Sequence, residues 1–197
     1  MSKIILRNVR IAYPELFTPG SYEGVSTGKY GATFLIPKTD EHKLFIEKIG
    51  VMIKTLLKDN GAPKLASDRI CLRDGDESGK AAFAGCWTLR ASTKKGITPV
   101  IVVRRGHTLE EVGENDDLIV SGCYVSASLR LWYQSNYGRR LNAELLSVLY
   151  MGPGEPLAGA NNYDPSEAED DFRDILGDAS TPTSSNGNDI FDDDLPF

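Results

Sequence analysis

The side chains best suited to chemistry in this sequence are clustered near residue 132, where Arg130, Trp132, Tyr133, Tyr137, Arg139 and Arg140 follow one another closely. An indole and two phenols offer flat faces on which a nucleobase of any sequence stacks, and the guanidiniums beside them neutralise phosphates. Each stacked base is worth about 1 to 3 kcal/mol, and the basic groups add a salt-dependent term. Two further stretches carry the same pairing of types. Tyr22, Lys29 and Tyr30 lie in or beside a glycine-rich loop, and Lys94 and Lys95 sit in a turn between Arg90 and Arg104. A Trp on a sheet is as often packed against a helix, so composition leaves both roles open for Trp132. Phe17 is likewise divided between stacking on a base and plugging the end of a barrel.

Catalysis is not expected. His42 at a helix start and His107 in a loop are the only near-neutral bases, no glycine-rich phosphate loop occurs, and no cysteine has a nucleophile's setting. Cys71, Cys86 and Cys123 are odd in number without C-x-x-C spacing, which reads as reduced thiols rather than disulfides or a zinc site. The acids between residues 62 and 80 lack the alternate-position oxygens and terminal glutamate of a calcium loop. No cofactor or metal is expected.

The elements that must position these groups read as mainly β. Residues 3–13 interleave apolar side chains with Lys3, Arg7 and Arg10, and 30–37 form a second strand after a loop over 15–29. The spacing of Leu44, Phe45, Ile49, Met52, Ile53, Leu56 and Leu57 predicts one helix from about Asp40 to Asp59, capped by Thr39 or Asp40 and ended by Gly61 and Pro63. A long polar connection covers 62–80. Strands over 83–92 and 98–105 are expected to pair as a hairpin whose tip carries Lys94 and Lys95. An acidic loop over 106–115, a long strand over 117–134 and a last strand over 139–151 follow.

Alternation on the long strand separates two faces. Val125, Ala127, Leu129, Leu131 and Tyr133 share the core parity; Tyr124, Ser126, Ser128, Arg130, Trp132 and Gln134 share the other. By the same reasoning Trp87 belongs with Leu89 in the core and Arg90 on the surface.

Charge divides the chain. Residues 1–155 hold 21 Lys and Arg against 17 Asp and Glu, a balance of +4, and residues 156–197 hold one Arg against 11 acids, a balance of −10. We therefore expect a single domain over 1–155 and a disordered acidic tail over 156–197. Phe172, Ile175 and Leu176 offer the tail one transient helical turn or a second docking site. It ends Asp192-Asp193-Asp194-Leu195-Pro196-Phe197, an acidic run with an apolar plug that suits a basic pocket with a hydrophobic floor on a partner protein. No apolar run approaches the roughly 18 to 20 residues of a membrane span, and Lys3 and Arg7 come too early for a signal peptide.

The motif G-K-Y-x-x-x-F-L-I-P at Gly28 to Pro37, the segment from Gly85 through Ile101-Val102-Val103, and Arg139-Arg140-Leu141-Asn142-Ala143-Glu144-Leu145-Leu146-Ser147-Val148 occur in that order around the helix. Together they resemble the bacteriophage single-stranded DNA-binding proteins, including the podophage replication type, over about residues 3 to 151. The resemblance implies an OB-fold-like five-stranded, partly open barrel with one inserted helix, whose cleft uses aromatic and basic groups; Trp132 or Tyr133 corresponds to the aromatic near the end of the long strand. It also implies a phage-encoded monomer or homodimer that coats single-stranded DNA in the host cytoplasm during replication or recombination. The last six residues look more like the ends of bacterial single-stranded DNA-binding proteins, which dock on replication and repair enzymes, so phage or host replication and recombination proteins are the expected partners. A structural or assembly β-protein without nucleic-acid binding and a strand-annealing protein are the rival functions.

Overall fold

The computed structural model describes residues 3–157 except Pro63 and Tyr137. Tyr137, the segment 172–176 and the terminal Asp192 to Phe197 therefore lie outside the described residues.

In chain order the elements are β1 (Lys3–Glu15), β2 (Ser21–Tyr22), β3 (Val25–Ser26), β4 (Gly31–Pro37), α1 (Asp40–Asp59), β5 (Leu72–Asp74), β6 (Cys86–Ser92), β7 (Val100–Arg105), β8 (Thr108–Glu111), β9 (Tyr124–Gln134) and β10 (Arg140–Gly152). β1, β4, β6, β10 and β9 pair in that cyclic order, and β9 returns to β1. Every one of these pairings is antiparallel except β6 with β10, which meet in parallel at Ala91–Ala143 and Ser92–Glu144. A five-stranded barrel closed in this way is the OB arrangement, with α1 inserted between the second and third barrel strands. The ring is closed through the β6–β10 pairs rather than partly open.

Apolar spacing in β1 is not strictly two-residue, and bulges account for it. Ile4 and Leu6 are buried, then Val9 and Ile11. The register with β9 shifts between Leu6 and Val9, where Asn8 takes φ 48°, so the extra residue returns the apolar set to the interior. β10 behaves alike: Leu141, Ala143 and Leu145 are buried, the register shifts between Leu145 and Ser147, and Val148 resumes the inward row.

α1 matches its predicted span. Ile49 and Ile53 join the barrel core, with Phe45, Ile46, Met52, Leu56 and Leu57 packed against it. Leu44, by contrast, is 76% exposed, and Ile46 takes the inward position assigned to it. The polar connection after α1 contains β5 and short 3-10 turns. Lys38, just before α1, bridges Asp74 and Asp76 of this connection at 2.5 and 2.6 Å, and the Asp76 carboxyl is held below its ordinary value by that lysine and by the Gly85 N–H. Trp87 is half-buried against the core beneath the Lys38 ammonium, 5.1 Å from its ring centroid.

The expected hairpin of β6 with β7 does not form. Both edges of β6 are occupied, by β4 on one side and by β5 and β10 on the other. β7 instead lies parallel to β10, Ser147–Val100 to Tyr150–Val103, and pairs with β8 in the region expected to be an acidic loop. The long strand also starts later than expected, at Tyr124. Gly122 has φ 104°, and a Cβ there would stand 2.2 Å from the Glu155 carbonyl oxygen, so the chain crosses residues 154–155 too closely to continue a strand. Arg10 ties this crossing down, donating from Nε to the Gly122 carbonyl at 3.2 Å and from Nη2 to the Glu155 carbonyl.

The three cysteines are free thiols; Cys71 and Cys123 are buried, and desolvation pushes Cys71 up to about 12.

The core assignment has a direct consequence for stability. Leu129→Ala, at a fully buried barrel position, lowers the free energy of unfolding by about 2 to 5 kcal/mol. Leu44→Ala stays within about 0.5 kcal/mol of the parent, and urea denaturation of the two variants measures the contrast.

Candidate nucleic-acid interface

β9 places Arg130, Trp132 and Gln134 on its outward side, since Val125, Ala127, Leu129 and Leu131 fill the interior. β10 presents the matching row: Glu144 stands opposite Arg130, Asn142 opposite Trp132, and Arg140 opposite Gln134. Cross-strand neighbours at this spacing touch, and polar pairs form on both sides of the indole. Arg130 donates from Nε and Nη2 to Glu144 Oε2 at 2.8 and 2.6 Å. Asn142 Nδ2 donates to Gln134 Oε1 at 3.1 Å, and Gln134 Nε2 to the Asn136 carbonyl at 2.7 Å. Trp132 itself is 41% exposed between them. Large aromatic area left to solvent on a rigid sheet is a platform for stacking.

A second wall rises from the chain ends around β4 and β6. Thr93 N–H donates to the Tyr30 carbonyl at 2.7 Å, Tyr30 N–H to Thr93 Oγ1 at 3.1 Å, and Gly96 N–H to the Gly28 carbonyl at 2.7 Å. These bonds bind residues 28–30 to 93–96, so that Lys29, Lys94 and Lys95 share one rim. Lys94 Nζ also comes within 3.8 Å of Glu144 Oε1. Between the two walls lies a cleft of about 510 Å³ with Trp132 and Leu131 as its apolar surface and Lys29, Lys94, Lys95 and Arg130 as its cations. Glu144, 13% exposed, is its one carboxylate. Such a set holds a polyanion with a flat apolar part.

Of the residues singled out from the sequence, Lys29, Lys94, Lys95, Arg130 and Trp132 meet in this cleft. Arg90 and Arg140 line a neighbouring cleft of about 190 Å³ together with Arg69 and Arg73, and the two clefts share Ser92 and Asn142 as walls. Tyr30 is half-buried behind the rim. Tyr133 has the interior parity and is half-buried, so of the two aromatics it is Trp132 that faces the cleft. Tyr22 stands on the separate β2–β3 hairpin, Arg104 binds the Gly106 carbonyl on the β7–β8 hairpin, and Arg139 is exposed in the β9–β10 connection; none of the three lines either cleft. Phe17 packs against the barrel core.

Ser92, Thr93, Gln134, Asn142 and Glu144 were not singled out as binding residues. Alternation would have exposed Asn142 and Glu144, which interleave with the apolar Leu141, Ala143 and Leu145. Arg69 and Arg73 carried no local signal, because it is the Ile70–Leu141 bridge to β10 and the pairing of β5 with β6 that bring them to the barrel seam.

Several known proteins are similar to this chain in sequence or fold. A protein named p50 from Acyrthosiphon pisum secondary endosymbiont phage 1 is 33% identical over 178 residues, covering 85% of this chain and 93% of its own. The solved single-stranded DNA-binding protein of bacteriophage Enc34 superposes with a TM-score of 0.68 at 34% identity, over 84% of this chain and 89% of that one. Its structure in complex with single-stranded DNA gives 0.69 at 34% identity, over 78% and 88%. A single-stranded DNA-binding protein encoded by bacteriophage T7 shares the fold alone, with a TM-score of 0.53 at 14% identity over 83% and 99%. Residues 2–181 match the family described as the single-stranded DNA-binding protein of Enterobacter phage Enc34, and the chain belongs to that family.

Proposed function

We propose that this chain is a single-stranded DNA-binding protein that coats the strand without strong sequence preference. The observation that carries the reading is the half-exposed Trp132, held between the Arg130–Glu144 and Asn142–Gln134 pairs and faced by Lys29, Lys94 and Lys95. This cleft lies between the loop before β4 and the β9–β10 connection, the two loops with which OB barrels take oligonucleotides. A relative at 34% identity solved with single-stranded DNA supports the same ligand. In this reading a base stacks on the indole and the backbone runs along the lysine rim. Tolerance of sequence follows because every base has a π face. Arg130 is bound to Glu144, which leaves the three lysines as the main partners of phosphate. The cleft has the chemistry to hold a strand rather than to transform one.

We assign residues 1–155 to DNA binding and residues 156–197 to an acidic tail. The tail's balance of −10 suits competition with DNA for the basic cleft, and Asp192 to Phe197 suit docking on phage or host replication and recombination proteins in the host cytoplasm. DNA displaces the tail and frees Phe197 for those partners.

Titrating a fluorescent dT oligonucleotide at two or more salt concentrations tests the assignment. Affinity falls as salt rises, with a log–log slope of about −2 if the three lysines each neutralise one phosphate of a single strand, and Trp132→Ala weakens binding by about 1 to 3 kcal/mol. Absence of binding at low salt contradicts the reading. A chain ending at residue 160, which keeps the buried Leu157, binds DNA more tightly than the full chain, most visibly at low salt; equal affinities would leave the tail without a gating role.

A further inference from the structure

Tyr13 occupies a position that its residue type does not favour. It sits in β1 where the register with β4 shifts between Ala12 and Glu15, and its backbone is left-handed, φ 48°. Asn8, at the other bulge of the same strand, has the same φ and a side chain that tolerates it. A bulge alone would be served equally well by Asn or Gly. The tyrosine ring is 51% exposed, and its setting is aromatic and basic. Phe83 meets it edge-on at 6.0 Å between centroids, and Lys80 Nζ lies 4.5 Å from its centroid.

The ring borders a third cleft, of about 420 Å³, whose walls include Arg73 and Arg90. Those two arginines also line the 190 Å³ cleft over the β6–β10 seam, which in turn shares Ser92 and Asn142 with the Trp132 cleft. Among the described residues Arg90 has no hydrogen bond or ion pair through its guanidinium. Asp68 and Asp74 line the third cleft too, but Asp74 is bound by Lys38 and Asp68 faces Arg69 at 3.4 Å; Glu77 remains as an opposing charge. A continuous track therefore leads from Trp132 on β9, across Asn142 on β10 and Arg90 on β6, to Tyr13 on β1. Its four strand-to-strand steps amount to roughly 20 Å.

We propose that Tyr13 is a second base-stacking platform, which receives a later nucleotide of the strand bound at Trp132, with the intervening phosphate on Arg90. The proposal rests on the single-stranded DNA reading of the Trp132 cleft and extends it to the opposite side of the barrel seam. The left-handed backbone turns the ring out of the sheet, and the contacts to Phe83 and Lys80 hold it in place.

The test is a titration of the full chain with a dT oligonucleotide of about 16 nucleotides, the upper site size for one such barrel, using Tyr13→Asn and Tyr13→Phe. Asn suits the left-handed backbone, which offsets the loss of the Phe83 and Lys80 contacts, so its thermal midpoint stays near the parent's, and its affinity drops at least about fivefold. Phe keeps the ring and stays within about twofold of the parent. In the double variant Tyr13→Asn with Trp132→Ala, the two losses multiply, as for two separate bases. Parental affinity in Tyr13→Asn overturns the second platform while leaving the Trp132 cleft intact, and so does a Phe variant as weak as Asn. A parent that binds no oligonucleotide at low salt overturns the underlying reading itself.

Discussion

The short parallel contact of β6 with β10 is the interaction on which the rest of the arrangement depends. Two residue pairs, Ala91–Ala143 and Ser92–Glu144, close the ring of five strands. The same pairs deliver the end of β6 to the outward row of β10, so that Lys94 and Lys95 stand over Glu144 and face Trp132 across a cleft. Without that contact β6 would end far from β9, and the aromatic and the lysines would be separate surface features. Parallel pairing between distant segments carries a loop-closure cost that local hairpins avoid. Here it is supported on both sides, by the antiparallel neighbours β4 and β9 and by the buried interior they share.

This dependence also explains what could be foreseen. The helix span and the two faces of β9 follow from local period, 3.6 and 2, and each is correct. Pairing partners are another matter. The segments 83–92 and 98–105 carry every local sign of a hairpin, yet they pair one after the other with the same edge of β10, the edge that β9 leaves free, because a strand's choice of edge is decided by which edges remain free. Bulges were equally hidden: Ile4, Leu6, Val9 and Ile11 change parity at Asn8, and nothing in the types alone locates the extra residue. The same limit applied to the interface. Arg130 and Trp132 were legible by alternation, whereas Arg73 comes to the seam on a three-residue strand, β5, and Arg69 beside the Ile70–Leu141 bridge, inside a stretch that reads as polar loop.

Charge in the cleft is arranged with one internal counterion. Glu144 accepts both Arg130 contacts and lies near Lys94, so the guanidinium is oriented and partly neutralised before any ligand arrives. A half-buried pair of this kind adds little net stability, since desolvation offsets much of the attraction. Its effect is to hold the guanidinium to Glu144 on the neighbouring strand. The lysines on the opposite rim are exposed, and their attraction for an anion reaches into solvent, where screening by salt weakens it. In the proposed reading, stacking and salt-sensitive attraction come from different walls of the same cleft.

In the proposed reading Trp132, and not Trp87, meets the nucleic acid. The chain has two tryptophans, one exposed in the cleft and one half-buried under Lys38. Intrinsic fluorescence of two single-tryptophan variants separates them. With Trp87→Phe, single-stranded DNA should quench the remaining Trp132 emission strongly; with Trp132→Phe, it should leave the Trp87 emission nearly unchanged. Quenching confined to Trp87, or equal in the two variants, would contradict the placement of the strand over the β9–β10 face.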